Sequence, residues 1–121
     1  MKPAYLAVPA ALALSATAVV PLAAGASHHP AHAAKARVAV SAKEFKFGLR
    51  PTSAKHGSVS FTIVNVGKIA HDFKIAGKTT PKIKPKKSTT LTVNLKKGTY
   101  HYLCTVPGHA ASGMKGTFRV S

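Results

Sequence analysis

From Arg37 onward the sequence predicts an all-β fold, an antiparallel β-sandwich with Greek-key connections. Three observations carry this. Apolar and polar residues alternate with period two, the alternating runs are rich in Val, Ile, Thr, Phe and Tyr, and no segment shows the apolar stripe of a helix. Glycine and proline signals cut the alternation into about seven to eight short strands, the pattern of a sandwich.

The elements follow in order. Val38 and Val40 alternate with polar neighbours, then Phe45 and Phe47 do so up to Gly48 and Pro51. After His56-Gly57 come Val59, Phe61 and Ile63, closed by Gly67. Phe73 and Ile75 make a short run before Gly77, and Pro81 and Pro85 punctuate a lysine-rich connection. Leu91, Val93 and Leu95 lead to the Lys97-Gly98 turn, Tyr100 and Tyr102 follow, and Phe118 and Val120 close the pattern. A domain of this size buries only about 60–65% of its unfolded surface. With no internal disulfide available, a metal that cross-ties two strands would add stability.

The N-terminus reads differently. Lys2 precedes an Ala/Leu/Val-rich run from Ala4 to Ala24, followed by Ala24-Gly25-Ala26 and Ala31-His32-Ala33. Small-residue patterns after an apolar run predict a secretory signal over residues 1–26, with cleavage after 33 as the alternative. An uncleaved membrane anchor is the other reading; Pro9 and Pro21 weigh against it. Residues 27–36 are a polar, proline-broken lead-in to a domain over 37–121. The expectation is a secreted or periplasmic, envelope-facing protein, membrane-anchored if uncleaved.

Lys and Arg number 18 against two acids, Glu44 and Asp72. Apart from Lys82, Lys84, Lys86 and Lys87 the cations are scattered, and an exported chain rarely meets nucleic acid, so no nucleic-acid role is expected. An acidic redox partner or an anionic envelope surface fits the charge through electrostatic steering. Protection of exposed strand edges is the plainer account. A monomer is expected. Two isolated acids offer no carboxylate pair for acid–base catalysis.

The chemistry gathers in Tyr100 to Met114, YHYLCTVPGHAASGM. Cys104 is the only cysteine, with His109 five residues on and Met114 five further. A single thiol in an exported chain is paired between chains, reactive, or a ligand. Pro107, Gly108 and Gly113 permit turns that fold His109 and Met114 back beside Cys104. His71, in NVGKIAHDF, stands upstream at the start of another alternating run. Two imidazoles, one thiolate and a thioether are the donor set of a blue-copper electron-transfer site.

These two stretches, Asn65 to Phe73 and Tyr100 to Gly116, resemble the cupredoxins, the plastocyanin and azurin family of single-copper proteins. The resemblance covers roughly Arg37 to Ser121, and the Cys-x4-His-x4-Met loop is most similar to the longer loops of auracyanin and rusticyanin. It implies an antiparallel sandwich with one copper at its end. By matching position it makes His71, Cys104 and His109 the equatorial ligands and Met114 the weak axial one. Asn65, Asp72 and Thr105 would support the ligands from behind. Many relatives carry Asn where this chain has Asp72, so Asp72 is expected to accept from the Thr105 hydroxyl or amide. Leu103 replaces the aromatic residue that plastocyanins carry before the cysteine, which directs electron exchange to His109 among Val106, Pro107, Ala110 and Ala111.

His56 and His101 are expected to be exposed. If cleavage falls after Ala26, Ser27, His28 and His29 would form a square-planar nitrogen set suited to Cu(II); the alternative is an incidental polar tail. The function expected is a one-electron Cu(II)/Cu(I) carrier outside the cytoplasm. The second reading is copper sequestration or delivery. No enzyme is expected. Multicopper oxidases flank this cysteine with histidines where the chain has Leu103 and Thr105, and a binuclear copper site needs a second cysteine.

Overall fold

A computed structural model describes residues 36–121. The segments read as signal and lead-in, residues 1–26 and most of 27–36, lie outside the described residues. Nine strands make up the rest: β1 (Ala36–Lys43), β2 (Lys46–Arg50), β3 (Ser53–Ala54), β4 (Gly57–Asn65), β5 (Lys74–Ile75), β6 (Lys78–Thr79), β7 (Ser88–Leu95), β8 (Gly98–Leu103) and β9 (Lys115–Val120). They form two sheets, ordered β2-β1-β4-β7 and β3-β9-β8-β5-β6.

The all-β sandwich is the fold the alternation predicts. Its strand count is higher because β3 and β6 are two-residue pairings too short to leave a periodic trace, whereas the equally short β5 lies in the Phe73–Ile75 run. Both sheets are mixed. β1 runs parallel to β4 and β3 parallel to β9, while the other pairings are antiparallel. Parallel neighbours need a long crossover, and the excursion through β2 and β3 supplies it between β1 and β4.

Alternation fixes which faces are buried. Val38, Val40 and Ala42 of β1 meet Val59, Phe61 and Ile63 of β4, Val93 and Leu95 of β7, and Phe118 and Val120 of β9 in one core. Phe61 is its centre, with ring centroids 5.3 Å from Phe73 and 5.2 Å from Phe118. Phe47 reaches the same cluster, 5.2 Å from Phe73. Phe45 does not. It lies in the turn between β1 and β2 and is 40% exposed. Its ring instead stands edge-on to His109, 5.0 Å away. The Tyr100 hydroxyl donates to the Lys96 carbonyl at 2.7 Å and pins the β7–β8 turn.

Strand direction gathers the functional loops. Because β1 and β4 are parallel, with Ala42 opposite Asn65, the segments following both strands emerge at one end of the sandwich. β8 finishes and β9 starts there too, with Leu103 opposite Lys115 and Lys74 opposite Leu103. The turn after β1, the connection from β4 to β5 and the loop from β8 to β9 therefore share one pole.

Phe61 is fully buried between the two sheets. Phe61→Ala should lower the metal-free protein's unfolding free energy by about 3–5 kcal/mol. A urea titration reads this as a shifted midpoint at nearly unchanged slope.

Candidate metal centre

Three donors converge at that pole. His71 Nδ1 lies 3.1 Å from His109 Nδ1, and Cys104 Sγ lies 3.6 Å from His109 Nδ1. One ligand atom from each of the three residues falls within 4.8 Å of the others. His71, Cys104 and Met114 are 0–1% exposed and His109 is 7% exposed, so His109 is the ligand residue nearest solvent.

Local structure explains each placement. His71 sits in a two-way bridge with Ile83, donating its amide to the Ile83 carbonyl at 3.1 Å and accepting at 2.7 Å. Asn65 steadies that bridge from behind. Its amide nitrogen donates to the carbonyls of Ile69 and Ile83, both at 2.7 Å, and its oxygen accepts from the Gly67 amide at 2.8 Å. Cys104 follows β8 directly. The loop beyond it winds through turns, with the His109 amide on the Val106 carbonyl and the Ser112 amide on the Gly108 carbonyl. Gly113, at φ 112°, takes a backbone conformation that a side chain would strain, and reverses the chain. Met114 then returns beside the other ligands: its carbonyl accepts from the Cys104 amide at 3.0 Å and its amide donates to the His109 carbonyl at 3.1 Å.

Asp72 is fully buried and ties the two ligand segments together. It accepts from the Thr105 amide at 2.6 Å and from the Thr105 hydroxyl. Its own amide points at Cys104 Sγ, 3.5 Å away. Lys82, with its side chain 56% exposed, places its ammonium 2.5 Å from the Asp72 carboxylate and 3.2 Å from the Thr105 hydroxyl. Burial pushes the Asp72 carboxyl up, but the Lys82 and Thr105 donors outweigh it and hold the group below its ordinary value of 3.8.

Glu44, in the β1–β2 turn, accepts from His71 Nε2 at 2.9 Å and from the amides of Lys68 and Ile69 at 2.9 and 3.1 Å. The His71 bond is the main cause that holds its carboxyl at about 2. Burial pushes the Cys104 thiol up from 9.0, so the sulfur keeps its proton at neutral pH until a cation displaces it. Burial, then the neighbouring His71, pushes His109 down from 6.5.

Sequence reading named His71, Cys104, His109, Met114, Asn65, Asp72 and Thr105, and all seven meet at this pole. Ser27, His28 and His29 lie outside the described residues. His101 is exposed, and so is His56, whose Nδ1 stands 3.1 Å from the Ser121 carbonyl. Glu44, Phe45 and Lys82 belong to the site without having been singled out. The one available signal was rarity, since Glu44 is one of only two acids in the chain.

The donor set fits copper. At about 2.0–2.1 Å from a divalent ion for nitrogen and about 2.3 Å for sulfur, the observed separations correspond to angles of roughly 100° and 110° at a shared centre. Two imidazoles, a thiolate and a thioether at such a centre match the blue-copper ligand type, and the four side chains are positioned as a copper site.

A family model described as a cupredoxin-like domain matches residues 11–118. The fold is similar to reduced auracyanin from Roseiflexus castenholzii, at 20% identity over 74% of this chain and 99% of that one, TM-score 0.62. It is similar to rusticyanin from Thiobacillus ferrooxidans at 26% identity over 74% of this chain and 79% of that one, TM-score 0.60. A multicopper oxidase shares the fold at 22% identity and TM-score 0.55, but its match spans 70% of this chain and only 41% of the oxidase. No curated protein sequence matches the chain.

The carboxyl and imidazole shifts set an acid profile for the metal-free protein. His109 is depressed in the folded state, so the unfolded chain binds the proton first. Its contribution is complete above about pH 6.5 and is lost as pH falls through the window below. Asp72 is also depressed, and its contribution is lost below about pH 3.8. Thermal midpoints from pH 8 to pH 3 should fall in two stages. His109→Gln should flatten the upper stage, and Asp72→Asn should reduce the lower one, which Glu44 shares.

Proposed function

This chain belongs to the cupredoxin-like family, and we propose that it is a copper-bound one-electron carrier working outside the cytoplasm. Copper supplies the one-electron Cu(II)/Cu(I) couple; the chain supplies a buried, pre-assembled donor set. The observation that carries the reading is the convergence of His71, Cys104 and His109 within 4.8 Å, with Met114 fully buried on the same loop.

Each ligand is fastened by backbone or side-chain bonds independent of the ion, so the donors are already in place when the electron arrives or leaves. That arrangement limits reorganisation, which a carrier needs and a delivery protein does not. Burial of all four ligand residues supports retention of the copper over its transfer to an acceptor. The oxidase likeness does not extend to an enzyme role. Leu103 and Thr105 stand beside Cys104 where a cluster-feeding cysteine has histidines, and the chain matches less than half of the oxidase.

Electron exchange is assigned to the His109 edge. Phe45, Val66 and Ile69 are 40%, 57% and 44% exposed, and Phe45 packs against the His109 ring. Both acidic side chains of the chain are committed within the site, Glu44 to His71 and Asp72 to Lys82. Among the described residues the remaining lysines thus meet no side-chain carboxylate of their own, which supports an acidic redox partner docking on this pole and steered to it over a distance. Export rests on the apolar N-terminal run and its small-residue patterns.

One equivalent of Cu(II) should give an intense thiolate-to-copper absorption band in the visible, bleached by reductant and abolished in Cys104→Ser. A colourless complex would overturn the reading. The pairing of buried Asp72 with exposed Lys82 gives a second, signed test by voltammetry. Asp72→Asn removes a negative charge beside the thiolate and should raise the reduction potential by tens of millivolts. Lys82→Met exposes that charge and should lower it.

A further inference from the structure

His71 turns Nδ1 toward the other donors and Nε2 toward Glu44. A neutral imidazole carries one proton, and only the nitrogen without it offers a lone pair to a metal. Glu44 Oε1, 2.9 Å from Nε2, can only accept, so the proton belongs on Nε2 and the lone pair on Nδ1. The same oxygen accepts the Lys68 and Ile69 amides, which fixes the carboxylate to the segment that leads into His71.

Gly67 makes room for this contact. A β-carbon there would collide with the Glu44 carboxylate, which supplies its three nearest atoms. Gly67 is not in the left-handed region, so space and not backbone freedom is what its missing side chain provides. The side chain displaced would be the end of a flexible glutamate, so Gly67→Ala moves the carboxylate without breaking the core.

Building on the copper reading above, we infer that Glu44 is a positioning residue for the metal. Its carboxylate selects the His71 tautomer that presents Nδ1 and holds the ring against rotation, and Gly67 is the space that admits it. The negative charge behind the ligand also favours Cu(II) over Cu(I). A carboxylate that merely stapled the 67–69 segment would leave tautomer, affinity ratio and potential untouched.

Nitrogen-15 NMR of the metal-free protein reads the tautomer with no copper present. His71 should carry its proton on Nε2, and Glu44→Gln should populate the Nδ1–H form, because the amide NH2 can donate to Nε2. In copper competition titrations Glu44→Gln should weaken Cu(II) binding by about 10- to 100-fold, with a smaller loss for Cu(I) and a raised potential. Gly67→Ala should give the same direction in all three readings. The double variant should match Glu44→Gln alone, because Gly67 acts through Glu44. An Nδ1–H proton on His71 in the unaltered protein would overturn the inference. So would Glu44→Gln with unchanged tautomer and unchanged Cu(II)/Cu(I) affinity ratio. Should Glu44→Gln fail to fold, the unaltered protein's tautomer and Gly67→Ala still decide it. Failure of the unaltered protein to bind copper sinks the carrier reading, whereas the metal-free tautomer tests Glu44 by itself.

Discussion

The structure depends on keeping electron-rich atoms close together away from water. Two ring nitrogens 3.1 Å apart and a sulfur 3.6 Å from one of them can share only their few protons as hydrogen bonds, whereas a cation would use every lone pair. Buried polar atoms normally find partners or shift. Here they partner one another and Glu44, and the frame holds them in place as well. His71 is bridged to Ile83, Cys104 is bonded to Met114 through the backbone, and His109 is wound into its own loop by bonds at Val106 and Met114. A cation at the centre would replace these weak hydrogen bonds with stronger ligand attraction, which would couple metal binding to stability of the whole pole.

The frame needs both sheets. Asp72 joins the His71 segment to Thr105, next to Cys104, and so bonds the two ligand-bearing stretches across a sequence distance of 33 residues. Glu44 joins the β1–β2 turn to the His71 segment. The Glu44 link would not exist if β1 and β4 ran antiparallel, because the turn after β1 would then emerge at the opposite end from the segment after β4. Strand direction, set by the crossover through β2 and β3, is therefore as much a part of the site as the ligands are.

This also explains what the sequence could and could not tell. Alternation identified the core strands because burial on one face is a local, repeating demand, and Val38, Val40, Val59, Phe61 and Ile63 obey it. Cys104, His109 and Met114 were legible because one short loop carries them. Asp72 and Thr105 were legible because each adjoins a ligand. Glu44 lies 27 residues from His71 and meets it only through the parallel pairing, which leaves no periodic trace. Phe45 misled for a related reason. Its place two residues from Phe47 mimics a strand, yet the turn swings it out of the core and onto His109. Lys82 looked like one of a run of surface lysines, and only the fold shows its ammonium on a buried carboxylate.

Charge at the pole is balanced with unusual economy. The protein carries 18 basic residues and two acidic ones, and both acids lie within hydrogen-bond reach of a ligand residue or its neighbour. With Cu(II), the Cys104 thiolate, Glu44, Asp72 and Lys82 counted together, the oxidised centre is formally neutral, and one added electron leaves it with a single negative charge. A neutral buried centre is the less costly to desolvate. The negative one gains from the cations around the pole, Lys43 and Lys46 flanking the Glu44 turn and Lys68 on the segment that Glu44 binds. With copper bound, the two acids would draw the centre toward Cu(II), and the basic surface would draw it back toward Cu(I). Because the acids are buried or bonded and the lysines are exposed, salt screens the second influence far more than the first. In the proposed carrier, the resting balance of the couple would thus be set inside the fold, while the surface charge would remain open to the solvent.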